Sequence, residues 1–144
     1  IYDESLWDAM GGAQIGGIHV TNYTNALETP AAKAFQDAFK AKYGRLPVAS
    51  NAMGYTNAVA IFDGLAKAIE DNGGNLPEDK AKIISALASL KLDNDPRGPV
   101  SFNSSNNAIQ QELYMVQIVD GPNGPHQELI DTLPYGEDLP GCKM

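Results

Sequence analysis

Three segments of this chain carry the apolar stripe of a helix, yet only about two runs read as good strands. That imbalance constrains the fold more than any other feature. Helices that alternate with parallel strands cover both faces of a sheet, so such strands should appear as further buried apolar runs. The sequence therefore predicts an α/β piece, much of whose sheet belongs to other residues.

The helical segments have clear punctuation. Thr29 and Pro30 form a good start, with the hydroxyl free to cap N–H groups and proline in the first turn. Ala31, Ala34, Phe35, Ala38, Phe39 and Tyr43 follow at helical spacing, and Gly44 ends the run. Phe35, Phe39 and Tyr43 recur every four residues, which predicts a core-facing stripe rather than an aromatic ligand box. Residues 50–74, SNAMGYTNAVAIFDGLAKAIEDNGG, hold a second helix with an expected apolar face at Ala58, Ile61, Phe62, Leu65, Ala68 and Ile69. Residues 76–79 start a third, with Ile83, Ile84, Leu87 and Leu90 expected to be buried. Residues 4–10 fit the end of a helix stopped by Gly11 and Gly12.

Among the strands, LYMVQIV at Leu113–Val119 is the clearest, being rich in residues that favour extended backbone. Residues 15–21, IGGIHVT, read as a short strand followed by a polar link at 22–25, and residues 99–102 as another short strand. Residues 93–98 read as a polar stretch, 120–124 as a turn, and the tail as rich in proline and glycine.

Charge narrows the function. Eighteen acidic residues against ten basic ones give a formal charge of -8, with no basic patch to meet phosphates or an anionic membrane. No apolar run approaches the roughly 18 residues of a bilayer span. Cys142 has no partner within the chain and is silent about compartment. Ile1 is not an initiator, which leads to the expectation of a processed or excised chain.

Catalytic and metal chemistry find little support. His19 and His126 fall in no metal-ligand spacing, and His19 alternates with Ile18 and Val20 as a strand residue would. The glycine pairs at 11–12 and 16–17 lack the lysine and serine of a phosphate loop and the spacing of a dinucleotide loop, so no cofactor is expected. Ser101, Ser104 and Ser105 have no nucleophile-elbow context, and Cys142 lies in the tail. Glu78 and Asp79 suit the positive end of a helix dipole. Asp93 and Asp95 could hold a hard cation, but Pro96 interrupts any calcium-loop pattern. Binding chemistry fits better: Asn51 offers two donors and an acceptor, Met53 an adaptable apolar contact, and Gly54 close backbone approach. Gly12, Ala13 and Gln14 form a second small polar loop. Each of these also reads simply as turn or cap.

Order adds what single motifs lack. GGIHVTNYT, then TPAAKAFQDAFKAKYGRLPVASNAMGYTNAVAIFDGLAKAIEDNGG, then KIISALASLKLD and RGPVSFNSSNNA before LYMVQIV, resembles the C-terminal part of a type I periplasmic binding protein. The branch it is most similar to is the leucine/isoleucine/valine-binding family serving ABC transporters. The resemblance covers roughly residues 11–119. It implies two Rossmann-like α/β lobes joined by three crossings, with ligand in the cleft between them. On that plan, residues 1–21 end the main segment of the second lobe. Residues 22–96 form a segment of the first lobe after a hinge crossing, and 97–144 return to the second lobe. Most of each sheet would then lie on an absent N-terminal portion, the chain's first expected partner. The others are a small-molecule ligand and a membrane permease; nucleic acid is not expected.

The resemblance implies a non-catalytic substrate-binding component of an importer, located in the periplasm or held outside the cell by a lipid anchor. Ser50, Asn51 and Met53 would border the cleft from the first lobe, and Ala13 and Gln14 from the second. Tyr23 would lie at a crossing as hinge or contact, and Tyr55 in packing. Amino-acid-binding relatives often carry an acidic residue where this chain has Ala13, in GGAQ. An ammonium buried without a counter-charge is costly, so an organic or aromatic acid becomes a candidate ligand beside an amino acid. A ligand-sensing regulatory domain of the same fold, an α/β enzyme domain and a remnant without a site of its own are the competing readings.

Overall fold

The structure, a computed structural model, describes residues 4–103 and 105–135. Ser104, Cys142, the first residue and the end of the proline- and glycine-rich tail lie outside the described residues. The chain opens with a 3-10 turn at Glu4–Leu6 and a one-turn helix α1 at Trp7–Met10, closed by Gly11 in the left-handed region at φ 58°. There follow β1 (Ile18–Thr21), α2 (Pro30–Tyr43), α3 (Ala49–Asp71) and α4 (Lys80–Ala88). The second half holds β2 (Lys91–Leu92), β3 (Val100–Phe102), β4 (Ile109–Gln111), β5 (Leu113–Val119) and β6 (His126–Leu133).

Helix boundaries fall where capping chemistry puts them. Thr29 Oγ1 accepts from the Ala32 amide, and Gly44 closes α2 at φ 71° with its N–H on the Lys40 carbonyl. At α3 the amide of Val48 donates to Asn51 Oδ1 at 3.1 Å, and at α4 Asp79 Oδ1 accepts from the Ala81 amide at 2.9 Å.

The strands form two three-stranded antiparallel sheets, ordered β1-β5-β6 and β2-β3-β4. In the first, Thr21 pairs with Tyr114 and Ile18 with Gln117, and a bulge between Met115 and Val116 shifts the register with β6. The buried side of β5, Tyr114 and Val116, packs on Tyr23, Leu27, Ala32 and Ala52. On the other side of β1, Ile18 and Val20 remain exposed. The second sheet meets the middle of α3 through Ala60, Leu92 and Val100.

Three strands, β2, β4 and β6, are absent from the sequence expectation. The first two have two and three residues, too short to show a period. The third reads HQELIDTL, and only Gln127 of it is buried, so it has no alternating apolar face.

The helices correct the expected core faces. The side of α3 that is buried is a ladder of small residues at every fourth position: Ala52, Thr56, Ala60, Gly64 and Ala68. Phe62 is 71% exposed, and Ile61 lies open beside it. Small side chains allow neighbouring elements to come close; at Gly64 an added Cβ would run into the Leu87 side chain of α4. Of the predicted broad face, Ala68 is buried and Leu65 and Ile69 are half-buried, whereas Ala58, Ile61 and Phe62 point away from what this chain packs against. The same holds for Ile84 of α4 and Tyr43 of α2, which are exposed, while Ala86 and Ala32 are buried. Phe35, Phe39 and Tyr43 stack in sequence with ring centroids 5.8 and 4.5 Å apart, yet only Phe35 packs on the core. Tyr55 is also exposed, with its ring 5.2 Å from Phe35.

Candidate functional site

Two short links connect the first sheet with α2–α4 and the second sheet, and they run side by side past the first turns of α3. One leaves β1 through Asn22 and Tyr23; the other is Glu112 alone, between β4 and β5. Gln111 Nε2 donates to the Asn22 carbonyl at 3.2 Å, which staples the links together. Beside the staple lies a groove of about 410 Å³ whose walls include Asn22, Met53, Asn57, Arg97, Phe102 and Gln111. Asn57 is exposed on the helix face that carries Met53 one turn earlier. Among the described residues, no carboxylate lines this groove.

Arg97 is the cation of that wall and is only 2% exposed. Its turn is built locally: Asp95 Oδ1 accepts from the Arg97 amide at 2.9 Å, and Gly98 follows at φ 87°. The Arg97 side chain donates from Nε to Thr56 Oγ1 at 2.9 Å and lies 3.5 Å from Asp95 Oδ1. The Thr56 hydroxyl passes the chain on to the Ala52 carbonyl at 3.1 Å. Arg97 Nη2 and Asp95 Oδ2 are both buried without a hydrogen-bond partner. Burial pulls the Arg97 guanidinium below its ordinary value, and the Asp95 charge opposes that shift. The Asp93 and Asp95 pair considered for a hard cation is thus divided: Asp95 is engaged with Arg97, and Asp93 is exposed. Among the described residues, no cluster of three or more His, Cys, Asp or Glu side chains could hold a metal.

The residues expected to bind ligand are spread over three places. Met53 is exposed and lines the groove. Ser50 is exposed on the preceding turn, and Asn51 is half-buried, with Oδ1 receiving the Val48 amide and, at 3.4 Å, Arg45 Nη1. Tyr23 is 2% exposed and packs edge-on against Phe35, its hydroxyl donating to Asn25 Oδ1 at 3.1 Å. Burial pushes its phenol well up. In this chain Tyr23 is core, with no surface to offer a solute. Gln14 is equally buried, and neither polar atom of its side chain has a partner; Ala13 beside it is exposed. Gly16 of that loop donates to the Ile118 carbonyl, at the far end of β5 from Leu113. Five residues of strand, roughly 17 Å, separate the loop from the groove, so the two expected walls do not meet within the described residues.

Sequence reasoning passed over Arg97, Asn57 and Phe102. Residues 93–98 look like a solvated link, because polarity and turn formers dominate them. The available signal was an aspartate two positions before an arginine, with Pro96 between them and Gly98 after: a turn that places the carboxylate on the arginine's own amide.

A family model described as periplasmic binding protein matches residues 1–123. A curated relative, the Leu/Ile/Val-binding protein homolog 8 of Brucella abortus, is 30% identical over 122 residues, which are 79% of this chain and 28% of that protein. Two solved structures are similar in fold. An ABC transporter substrate-binding protein from Sphaerobacter thermophilus superposes with a TM-score of 0.79 at 24% identity, over 95% of this chain and 36% of that one. A solute-binding protein of an ABC transporter from R. palustris, solved in complex with 4-hydroxybenzoate, gives 0.77 at 25% identity, over 93% and 35%. The chain thus spans about a third of the length of the structures it matches, and less of the curated relative. With the family model covering all but its last stretch, the chain belongs to the periplasmic binding protein family.

Proposed function

We propose that this chain is the C-terminal portion of a two-lobed type I solute-binding protein of an ABC importer, and that the whole protein binds a small organic acid, above all an aromatic one. In this reading residues 1–21 and 97–144 belong to the second lobe and 22–96 to the first. A further N-terminal portion supplies the remaining strands. The protein works in the periplasm, or outside the cell on a lipid anchor, and hands its solute to a membrane permease. Its work is binding, not catalysis: the lobes close on the solute and bury its polar groups against fixed partners.

The observation that carries the acid reading is the charge of the candidate walls. Ala13 stands exposed in the loop before β1, and no carboxylate lines the groove beside Met53 among the described residues. An α-ammonium group would find no counter-charge at either place, and burying it uncompensated is costly. The R. palustris relative that holds 4-hydroxybenzoate supports the same class. Exposed apolar side chains on α3 and β1, including Ile61, Phe62, Ile18 and Val20, support the missing portion, since a larger protein would have surfaces to cover them.

Calorimetry on the full-length protein tests this. Titration with 4-hydroxybenzoate, benzoate and leucine should give saturable binding of an acid and none of leucine. Tight leucine binding with no response to either acid rejects the acid reading.

A further inference from the structure

We propose that Gln111 governs lobe closure: its side-chain amide fastens the two links together, so that they bend as one hinge and the lobes meet in one orientation. This rests on the two-lobe reading above. It concerns how the lobes move, not what touches the solute.

Each link leaves little backbone free to turn. On the first, Thr21 Oγ1 donates to the Tyr23 carbonyl at 3.0 Å and accepts from the Tyr23 amide at 3.4 Å, which closes a turn around Asn22. On the second, Glu112 stands alone between β4 and β5. Gln111 on one side of it pairs with Val100 in the second sheet, and Tyr114 on the other donates its hydroxyl to the Arg97 carbonyl at 2.7 Å. Gly98, at φ 87°, makes room for that phenol, since a Cβ there would lie 2.5 Å from the hydroxyl. The Arg97 turn itself stays with α3, to which its Nε is bonded through Thr56. The bend therefore falls at Glu112 and Leu113, which moves the last crossing of the two-lobe plan from residue 97 to residue 112.

One amide lies between the two free points. Gln111 is buried, and its Nε2 donates to the Asn22 carbonyl and to the Glu112 carbonyl, each at 3.2 Å. Both acceptors belong to the residues that are free to turn. An amide nitrogen carries two hydrogens, so neither bond excludes the other. Turning one link alone breaks a bond and strands the buried amide, whereas turning both together keeps the pair. The staple thus selects a single concerted motion from the many that two independent links would allow. Apparent affinity follows, because it falls with the share of molecules able to close correctly.

The test uses the full-length protein with spin labels at Asn75→Cys, in the loop between α3 and α4, and at Asn123→Cys, in the turn between β5 and β6. Cys142 and any further native cysteine are replaced by serine. Pulsed electron resonance then gives the spread of distances between the labels without solute. Gln111→Met keeps the length and removes both donors, and Gln111→Glu sets a carboxylate against two carbonyl oxygens. Both should broaden the distribution, Gln111→Glu the more. Gly64→Ala perturbs the fold away from the links and should leave the width unchanged. Calorimetry with 4-hydroxybenzoate and benzoate, or with leucine and isoleucine where the acid reading fails, supplies a second readout. Gln111→Met should weaken both solutes of the pair by one common factor, about fivefold or more. Distances in both Gln111 variants that match the unmodified protein overturn the role of Gln111 and leave the two-lobe reading standing. Unequal losses for the two solutes overturn it as well, because they make Gln111 a solute contact. An unmodified protein whose label distances do not change on saturation with its solute overturns lobe closure itself.

Discussion

The Tyr114 hydroxyl donates to the carbonyl oxygen of Arg97 at 2.7 Å, while Arg97 Nε donates to Thr56 Oγ1 at 2.9 Å. One residue thus ties the central strand of the first sheet to the longest helix. Tyr114 is buried, so its replacement by phenylalanine leaves the Arg97 carbonyl without that donor. The expected cost is about 1–3 kcal/mol, the penalty of stranding a buried polar group. Urea denaturation of full-length Tyr114→Phe should show a lower midpoint with an unchanged slope. An unchanged midpoint would mean that the bond contributes nothing to the fold.

The same phenol gives a pH dependence with a definite sign. Burial, followed by the nearby Glu112 charge, pushes Tyr114 up to about 12, whereas a free tyrosine titrates near about 10. The folded value lies above the unfolded one, so Tyr114 contributes its full stability below about pH 10 and loses it as pH rises towards about 12. Tyr23, raised for the same first reason, adds to the slope. Thermal melting between about pH 9 and 11 should fall more gently in Tyr114→Phe than in the unmodified protein. Parallel curves would remove Tyr114 as a source.

These two tyrosines also mark how much of the chain was legible beforehand. Thr29, Gly44 and the run LYMVQIV announced their elements because capping and strand chemistry are local, and α2 and β5 lie where those residues put them. Membership of the periplasmic binding protein family was legible from the order of the motifs. The faces were not. Stripe arguments assume that the largest apolar residues meet the core, but α3 turns its small residues inward and leaves Phe62 open. Tyr23, expected at a crossing as hinge or contact, is packed away because its ring meets Phe35 and its hydroxyl finds Asn25 two residues on. Arg97 was hidden for the opposite reason. Nothing in Asp-Pro-Arg-Gly reveals that Thr56, 41 residues earlier, waits for its Nε.

Gly64 supports a prediction about helix contact. A Cβ there would overlap the Leu87 side chain and come within 3.2 Å of the Leu87 Cα, a backbone atom that cannot easily yield. Gly64→Ala gains about 1 kcal/mol of helix propensity, but overpacking should outweigh it, for a net loss of about 1–2 kcal/mol. In a Leu87→Ala background the side-chain overlap is gone and only the 3.2 Å approach to the Cα remains, so the same change should cost clearly less. A double-mutant cycle by chemical denaturation measures the coupling, and additive losses would show that the two residues do not meet.

Phe62 decides whether the open side of α3 belongs to a larger protein. A phenylalanine 71% exposed contributes little to the fold it sits on, so Phe62→Ser would change little if that surface stayed in solvent. Under the two-lobe reading, residues beyond this chain cover Phe62 and its neighbour Ile61 in the full-length protein. Removing the ring there should cost about 2–4 kcal/mol, the loss of a buried aromatic and the cavity left behind. Lys67→Ala, one turn further along the same helix, removes only an exposed pairing with Asp71 and serves as the surface reference. Denaturation of the full-length protein should therefore separate the two variants clearly. If Phe62→Ser matches Lys67→Ala within about 0.5 kcal/mol, the Phe62 side of α3 faces water in the whole protein and the first lobe is built elsewhere.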